Sequence, residues 1–232
     1  MNIRGVIFDK DGTLFDFQST WGIWTAQILV RIAGSDGALL GQLARALGYD
    51  TEARRVQPGS VIVAGTPMEI AAVIHGYMPA MSQTQIFDWL NKEAETAPQV
   101  LVTDLHRLTG ELRCRDLGLC VMTNDAEIPA RAHLASVQAL DLFDFVIGSD
   151  SGFGAKPQAA PLLALADKMD IPAAACVMVG DSAHDLRAGR AAGMRTVAVL
   201  TGLAEAAELA PLADAVLPDV SHLPSWISAQ NR

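Results

Sequence analysis

From Val100 onward, short apolar runs alternate with stretches of helical periodicity. The runs Leu119–Met122, Phe145–Ile147, Cys176–Val179, Thr196–Val199 and Ala215–Leu217 read as strands. Before, between and after them, Val102–Leu117, Glu127–Leu140, Gln158–Met169, Ser182–Ala192 and Ser221–Ile227 read as helices. Few folds accommodate such an order. It specifies the α/β class, a doubly wound parallel sheet with helices on both faces, because parallel neighbours need helical crossovers. One earlier run, Val6–Phe8, supplies a further buried strand.

Residues 16–96 carry a different pattern, with no convincing strand. Trp21, Trp24, Ile28 and Ile32 recur at spacings of three and four, one face of an amphipathic helix. Leu39, Leu43 and Leu47 form a second, ending at Gly48, and a turn-rich loop from Arg54 to Gly59 follows. Pro67 opens a third helix that Gly76 closes. Ser82, with Gln85 three residues on, caps a fourth that runs to about Thr96. The expected organisation is a core domain of residues 1–15 and 97–232, interrupted by an all-helical insertion at 16–96.

Half of the 232 residues are hydrophobic, enough for a substantial core, and the net charge is −9. That charge argues against nucleic acid, which demands clustered Lys and Arg. No apolar run approaches the ~18 residues of a membrane span, and the N-terminus lacks a secretory pattern. A cytoplasmic protein is expected, either monomer or homodimer. Cys114, Cys120 and Cys176 are an odd count without metal spacing. Cys120 and Cys176 belong to strand-like runs and are expected to be buried free thiols.

The Val6–Phe8 strand runs directly into Asp9-Lys10-Asp11-Gly12. In open α/β sheets, ligands bind beyond the carboxyl ends of the strands. Asp9 and Asp11 are therefore placed where chemistry happens, and a carboxylate there can attack phosphorus. Position alone does not decide which of the two attacks. Lys10, between them, is expected to point away from the pocket. Asp181 follows another strand, with Asp185 four residues on and on the same face if the turn is helical. Carboxylate oxygens converging on one small cation suit magnesium, with Asp9 and Asp181 the leading side-chain ligands and Asp185 binding directly, through water, or by orienting Lys156. Thr123 offers a hydroxyl at a strand end. Asn124 and the amides after it could bind phosphate oxygens, and Lys156 could neutralise them. Gly152-Phe153-Gly154 lacks the remaining residues of either phosphate-binding glycine loop.

Four pieces in this order, Asp9-Lys10-Asp11-Gly12-Thr13-Leu14, Val121-Met122-Thr123-Asn124, Gly154-Ala155-Lys156-Pro157 and Val177-to-Asp185, resemble the signatures of the haloacid dehalogenase superfamily. The chain is most similar to its phosphoglycolate-phosphatase-like members, which carry a helical cap between the first two signatures. The resemblance implies a magnesium-dependent phosphatase acting on a small phosphorylated metabolite, with 2-phosphoglycolate one candidate. It makes Asp9 the nucleophile, Asp11 the general acid and base, and the Asp11 backbone carbonyl a further metal ligand. Leu14-Phe15-Asp16-Phe17-Gln18 departs from the Asp-Ser that usually follows the first signature, which bears on substrate rather than on phosphate chemistry.

A phosphomutase of the β-phosphoglucomutase type keeps all four signatures and is the alternative. A non-catalytic phospho-acceptor domain would be about half this length, with its acid pair early and the acceptor on a later strand. A pure binding module has little use for both Asp9 and Asp11. Of the cap's positive residues Arg31, Arg45, Arg54, Arg55 and Lys92, the loop arginines Arg54 and Arg55 are the candidates to touch the non-phosphate end of the substrate. His184, inside the fourth signature, is close enough to reach the pocket rim, with a packing or supporting role the expected one.

Overall fold

A computed structural model describes residues 2–231. The chain opens with strand β1 (Gly5–Phe8). A π-type turn over Gln18–Gly22 then leads into α1 (Ile23–Ala33) and α2 (Gly37–Leu47). Two short strands, β2 (Tyr49–Asp50) and β3 (Arg55–Val56), form an antiparallel hairpin. Three helices complete the insertion: α3 (Val61–Ala64), α4 (Pro67–His75) and α5 (Gln83–Ala94). The expectation of a strand-free, four-helix insertion is thus corrected by the hairpin and the extra helical turn α3. Two-residue strands carry no alternation to read, and Gln18 creates their setting from a distance. Its side chain donates to Val56 O at 2.8 Å and accepts from Val56 N at 3.1 Å.

The remainder alternates as expected. It comprises α6 (Leu105–Arg113), β4 (Gly118–Met122), α7 (Glu127–Ser136), β5 (Phe145–Ile147), α8 (Ala160–Lys168) and β6 (Cys176–Gly180). Then come α9 (Ala183–Ala191), β7 (Arg195–Val199), the short α10 (Ala206–Leu209), β8 (Ala215–Leu217) and α11 (Leu223–Gln230). The six-stranded sheet has the order β5-β4-β1-β6-β7-β8, and every pair in it is parallel.

The pleat sends alternate side chains of each strand to opposite faces. Val6 and Phe8 join an apolar cluster with Leu108 of α6, Leu134 of α7 and Ile227 of α11. Ile7 joins another with Leu162 and Leu165 of α8 and Ala188 of α9. Both faces are covered, which is why the central strands are apolar throughout. Cys120 and Cys176 are buried and free. Burial pushes the Cys120 thiol up to about 12 and Cys176 to about 11, so both are inert packing groups.

The insertion has an apolar cluster of its own, drawn from Phe17 to Ala94, in which the Trp21 and Trp24 rings meet edge to face at 5.2 Å. The helices of this segment are well punctuated. Thr66 and Ser82 each form a reciprocal capping box, with Glu69 and Gln85. Among the described residues, no helix is long and apolar enough to cross a membrane.

Candidate active site

β1 lies between β4 and β6, and the chain segments leaving these three strands converge. Asp9 follows β1 directly, its backbone N–H bonded to Val179 O at 2.8 Å. Asp181 follows β6, and Asp185 projects from the first turn of α9. The carboxylates of Asp9, Asp181 and Asp185 are buried, with oxygens that all lie within 4.8 Å of one another. Lys156 enters from the loop before α8. Its Nζ donates to Asp9 Oδ1 and Asp185 Oδ1, each at 2.6 Å, and to Met122 O at 2.9 Å.

The balance of charge here is uneven. Burial, with the added repulsion of Asp9 and Asp185, raises the Asp181 carboxyl well above the ordinary range. Burial likewise lifts Asp9, offset in part by Lys156, to about 7. Three buried acids sharing one lysine lack positive charge, and a divalent cation is the group that such a donor set fits. Gly12 allows the close approach this requires. It sits at φ 85°, and a Cβ there would run into the Asp181 carboxylate. A Cβ at Gly202 would collide with the same group, so the loop after β7 also closes on Asp181. Nothing local announces that contact, since Gly202 is remote in the chain and belongs to no motif. Thr13 is a further unforeseen neighbour, its Oγ1 donating to Asp181 Oδ1 at 3.2 Å.

Thr123 lies at the end of β4, where its Oγ1 accepts from Asp125 N at 3.1 Å and keeps its own proton to donate. Asn124 departs from expectation. Its Nδ2 donates to Ala64 O of the insertion at 2.7 Å and to Lys156 O at 3.0 Å, while its Oδ1 accepts from Lys156 N at 2.9 Å. The side chain is consumed in clamping the Lys156 loop to the insertion, which leaves only the backbone of this segment for phosphate oxygens.

Asp11 and Lys10 form a second charged group beneath the first. Lys10 does not line the cavity, in keeping with a side chain turned away from it, but neither does it reach solvent: it is fully buried. Its Nζ stands 2.7 Å from Asp11 Oδ2, 3.4 Å from Asp125 Oδ2 and 2.9 Å from His133 Nδ1. The lysine donates, so Nδ1 accepts and the His133 proton resides on Nε2, which donates to Ala94 O at the end of α5 at 2.7 Å. Burial and the Lys10 charge hold His133 down at about 4, a neutral imidazole. The other Asp11 oxygen, Oδ1, is buried without a partner. Lys10→Met leaves the buried Asp125 and the partly buried Asp11 without their cation. We expect a loss of about 3–5 kcal/mol in urea unfolding, together with a slower turnover, since Asp11 loses the group that holds it.

Above the acids is a cavity of about 690 Å³, its open mouth included. Its floor is formed by Asp9, Asp11, Thr123, Lys156, Asp181 and Asp185, with His184 on the core side. Arg54 and Arg55, the cap candidates for a substrate contact, do not line it. Both are exposed. The hairpin β2–β3 carries them outward, and Arg54 borders a separate groove with Gln18 and Tyr49.

The family profile of haloacid dehalogenase-like hydrolases matches residues 3–193. The chain belongs to the haloacid dehalogenase-like hydrolases. A phosphoglycolate phosphatase of Escherichia coli (strain K12) is 30% identical over 221 residues, covering 87% of this hydrolase and 82% of the relative. One from Pectobacterium atrosepticum is 28% identical over 200 residues, covering 86% and 81%. Among solved structures, CbbY from Rhodobacter sphaeroides in complex with phosphate superposes with a TM-score of 0.70 at 20% identity, covering 95% of this hydrolase and 96% of that chain. The hydrolase is a phosphatase acting on a small phosphorylated substrate, and its buried acid cluster can hold a divalent metal.

Proposed function

We propose that this phosphatase hydrolyses small-molecule phosphate monoesters through an aspartyl-phosphate intermediate, with magnesium as its metal. The observation that carries the reading is the Asp9 carboxylate held by Lys156 at 2.6 Å at the floor of the cavity, with Asp181 and Asp185 beside it. Lys156 orients Asp9 towards the phosphorus and neutralises charge on the equatorial oxygens as the phosphoryl group passes over. Thr123 Oγ1 donates to one of those oxygens. Asp11, fixed by Lys10 on one oxygen, uses the unpartnered Oδ1 to protonate the departing alkoxide. It then takes a proton from the water that cleaves the aspartyl phosphate, a role worth roughly 10²–10⁴-fold. Asp9, Asp181 and the Asp11 carbonyl would hold the magnesium, with Asp185 in support. The ion supplies charge neutralisation at the phosphoryl oxygens when bound.

We further propose that residues 16–96 act as a cap that closes over the substrate and excludes water, on a core of 1–15 and 97–232. The setting that best fits such an enzyme is the cytoplasm, as a monomer or homodimer. Phosphate release from a generic aryl phosphate, measured with magnesium and with excess chelator, tests the reading. We expect activity to vanish in chelator and to return with magnesium. Calcium, larger and with a higher ligand demand, is expected to inhibit. Full activity in chelator overturns the metal assignment.

A further inference from the structure

The cap wall of the cavity is apolar. Trp21 and Trp24 of the first cap helix and its lead-in, Ile62 of α3, Ile70 of α4 and Leu90 of α5 face it, with Asn91 contributing a neutral amide. Among the described residues, none of the five cap cations reaches it. Arg31 is engaged with Glu93, and Arg45, Arg54, Arg55 and Lys92 are exposed. On the floor, Lys156 is already shared between Asp9 and Asp185, and Lys10, outside the cavity lining, is sealed against Asp11, Asp125 and His133.

We propose that the cap cavity selects phosphate monoesters whose organic part is uncharged and apolar, an aryl or arylalkyl group, and disfavours phosphorylated carboxylic acids. The inference rests on the phosphatase reading and names the substrate class of that same site. A second carboxylate on the substrate would lose water on entering, find no free cation on the cap wall, and stand near five aspartates. An arylalkyl group would replace water against the two indoles and the aliphatic side chains instead. Trp24 adds a detail: its indole Nε1–H is buried without a hydrogen-bond partner. An ether, hydroxyl or carbonyl oxygen on the organic group is the neutral acceptor that such a donor takes.

The decisive comparison uses 2-phenylethyl phosphate, ethyl phosphate and 2-phosphoglycolate with magnesium, three esters whose leaving groups are all alkoxides. We expect kcat/KM for 2-phenylethyl phosphate to exceed that for 2-phosphoglycolate at least tenfold. Trp24→Ala should lower the preference for 2-phenylethyl over ethyl phosphate, and Ile70→Arg should shift preference towards 2-phosphoglycolate. Binding of the same esters to the folded Asp9→Asn protein, measured by calorimetry with magnesium, reads selection without turnover. The same order is expected there. Equal or tighter binding of 2-phosphoglycolate overturns the proposal, as does a preference for it in turnover, including one that depends on His184. If no ester is hydrolysed while the binding order holds, the catalytic reading fails and this one stands.

Discussion

Asp9→Asn is expected to yield a folded protein whose phosphatase activity falls by about 10⁴-fold or more, because in the proposed mechanism the substitution removes the attacking oxygen itself. The fold has no need of that charge. Asp9 lies among Asp11, Asp181 and Asp185 with one shared lysine, so its ionised form raises the energy of the metal-free site. Its carboxyl sits at about 7 against an ordinary 3.8, chiefly from burial. Between those two values the folded chain binds the proton more tightly than the unfolded chain does. The contribution to stability is therefore complete below about pH 4 and lost as pH rises through 7. In chelator, the wild-type melting temperature should fall between pH 5 and pH 8. The variant should fall less, with Asp181 still titrating in both. Activity within tenfold of wild type from a folded Asp9→Asn protein would refute Asp9 as the nucleophile. An unchanged pH slope would refute the electrostatic account.

Lys156→Met should be costly twice over. The lysine is buried between Asp9 and Asp185, and although burial opposes its charge, those two carboxylates outweigh it and hold it protonated. Its removal leaves them facing one another in a water-poor site. Breaking such a pair costs about 3–5 kcal/mol, which equilibrium unfolding in urea with chelator would read directly. Magnesium should restore part of that loss, since it brings positive charge to the same acids, whereas kcat/KM should remain down by about 10²-fold or more because the donor to the phosphoryl oxygens is gone. A variant with unchanged midpoint and unchanged rate would mean that Lys156 is a bystander.

Much of this site could be read from the chain because its residues sit just past strands, where a short apolar run announces both the strand and its end. Phe145–Ile147 and Ala215–Leu217 have the bounds that the sequence implied, and Asp9, Thr123 and Asp181 each follow a strand as expected. What stayed hidden was decided by neighbours distant in sequence. Lys10 follows β1 between two acids that line the cavity, while its own side chain does not line it. Only the packing of α7 and the end of α5 makes its surroundings an enclosed pocket with His133 rather than a surface. Asn124 looked like a phosphate donor because nothing local shows that Ala64, sixty residues away, takes its amide. Trp21, Ile70 and Leu90 have the spacing of helix core, and a side chain lining a cavity has the same spacing as one filling it. The placement of Arg54 followed from a hairpin too short to leave a pattern.

The two passages between sheet and cap run side by side. Asp16 N bonds to Val100 O at 2.8 Å, Val102 N bonds to Leu14 O at 3.0 Å, and Phe15 pairs antiparallel with Leu101. Entry and exit are thus a single ribbon, and the insertion is tied to the core again where Asn124 holds Ala64 and His133 holds Ala94. For an engineer, or for a lineage exploring new chemistry, that ribbon is a socket. Cutting there and joining a foreign segment asks two ends already in contact to stay in contact, so the chain entropy of closure grows only slowly with the length of the graft. A graft there leaves the strands that carry the carboxylates uncut, provided that it renews the bonds which Ala64 and Ala94 offer to Asn124 and His133.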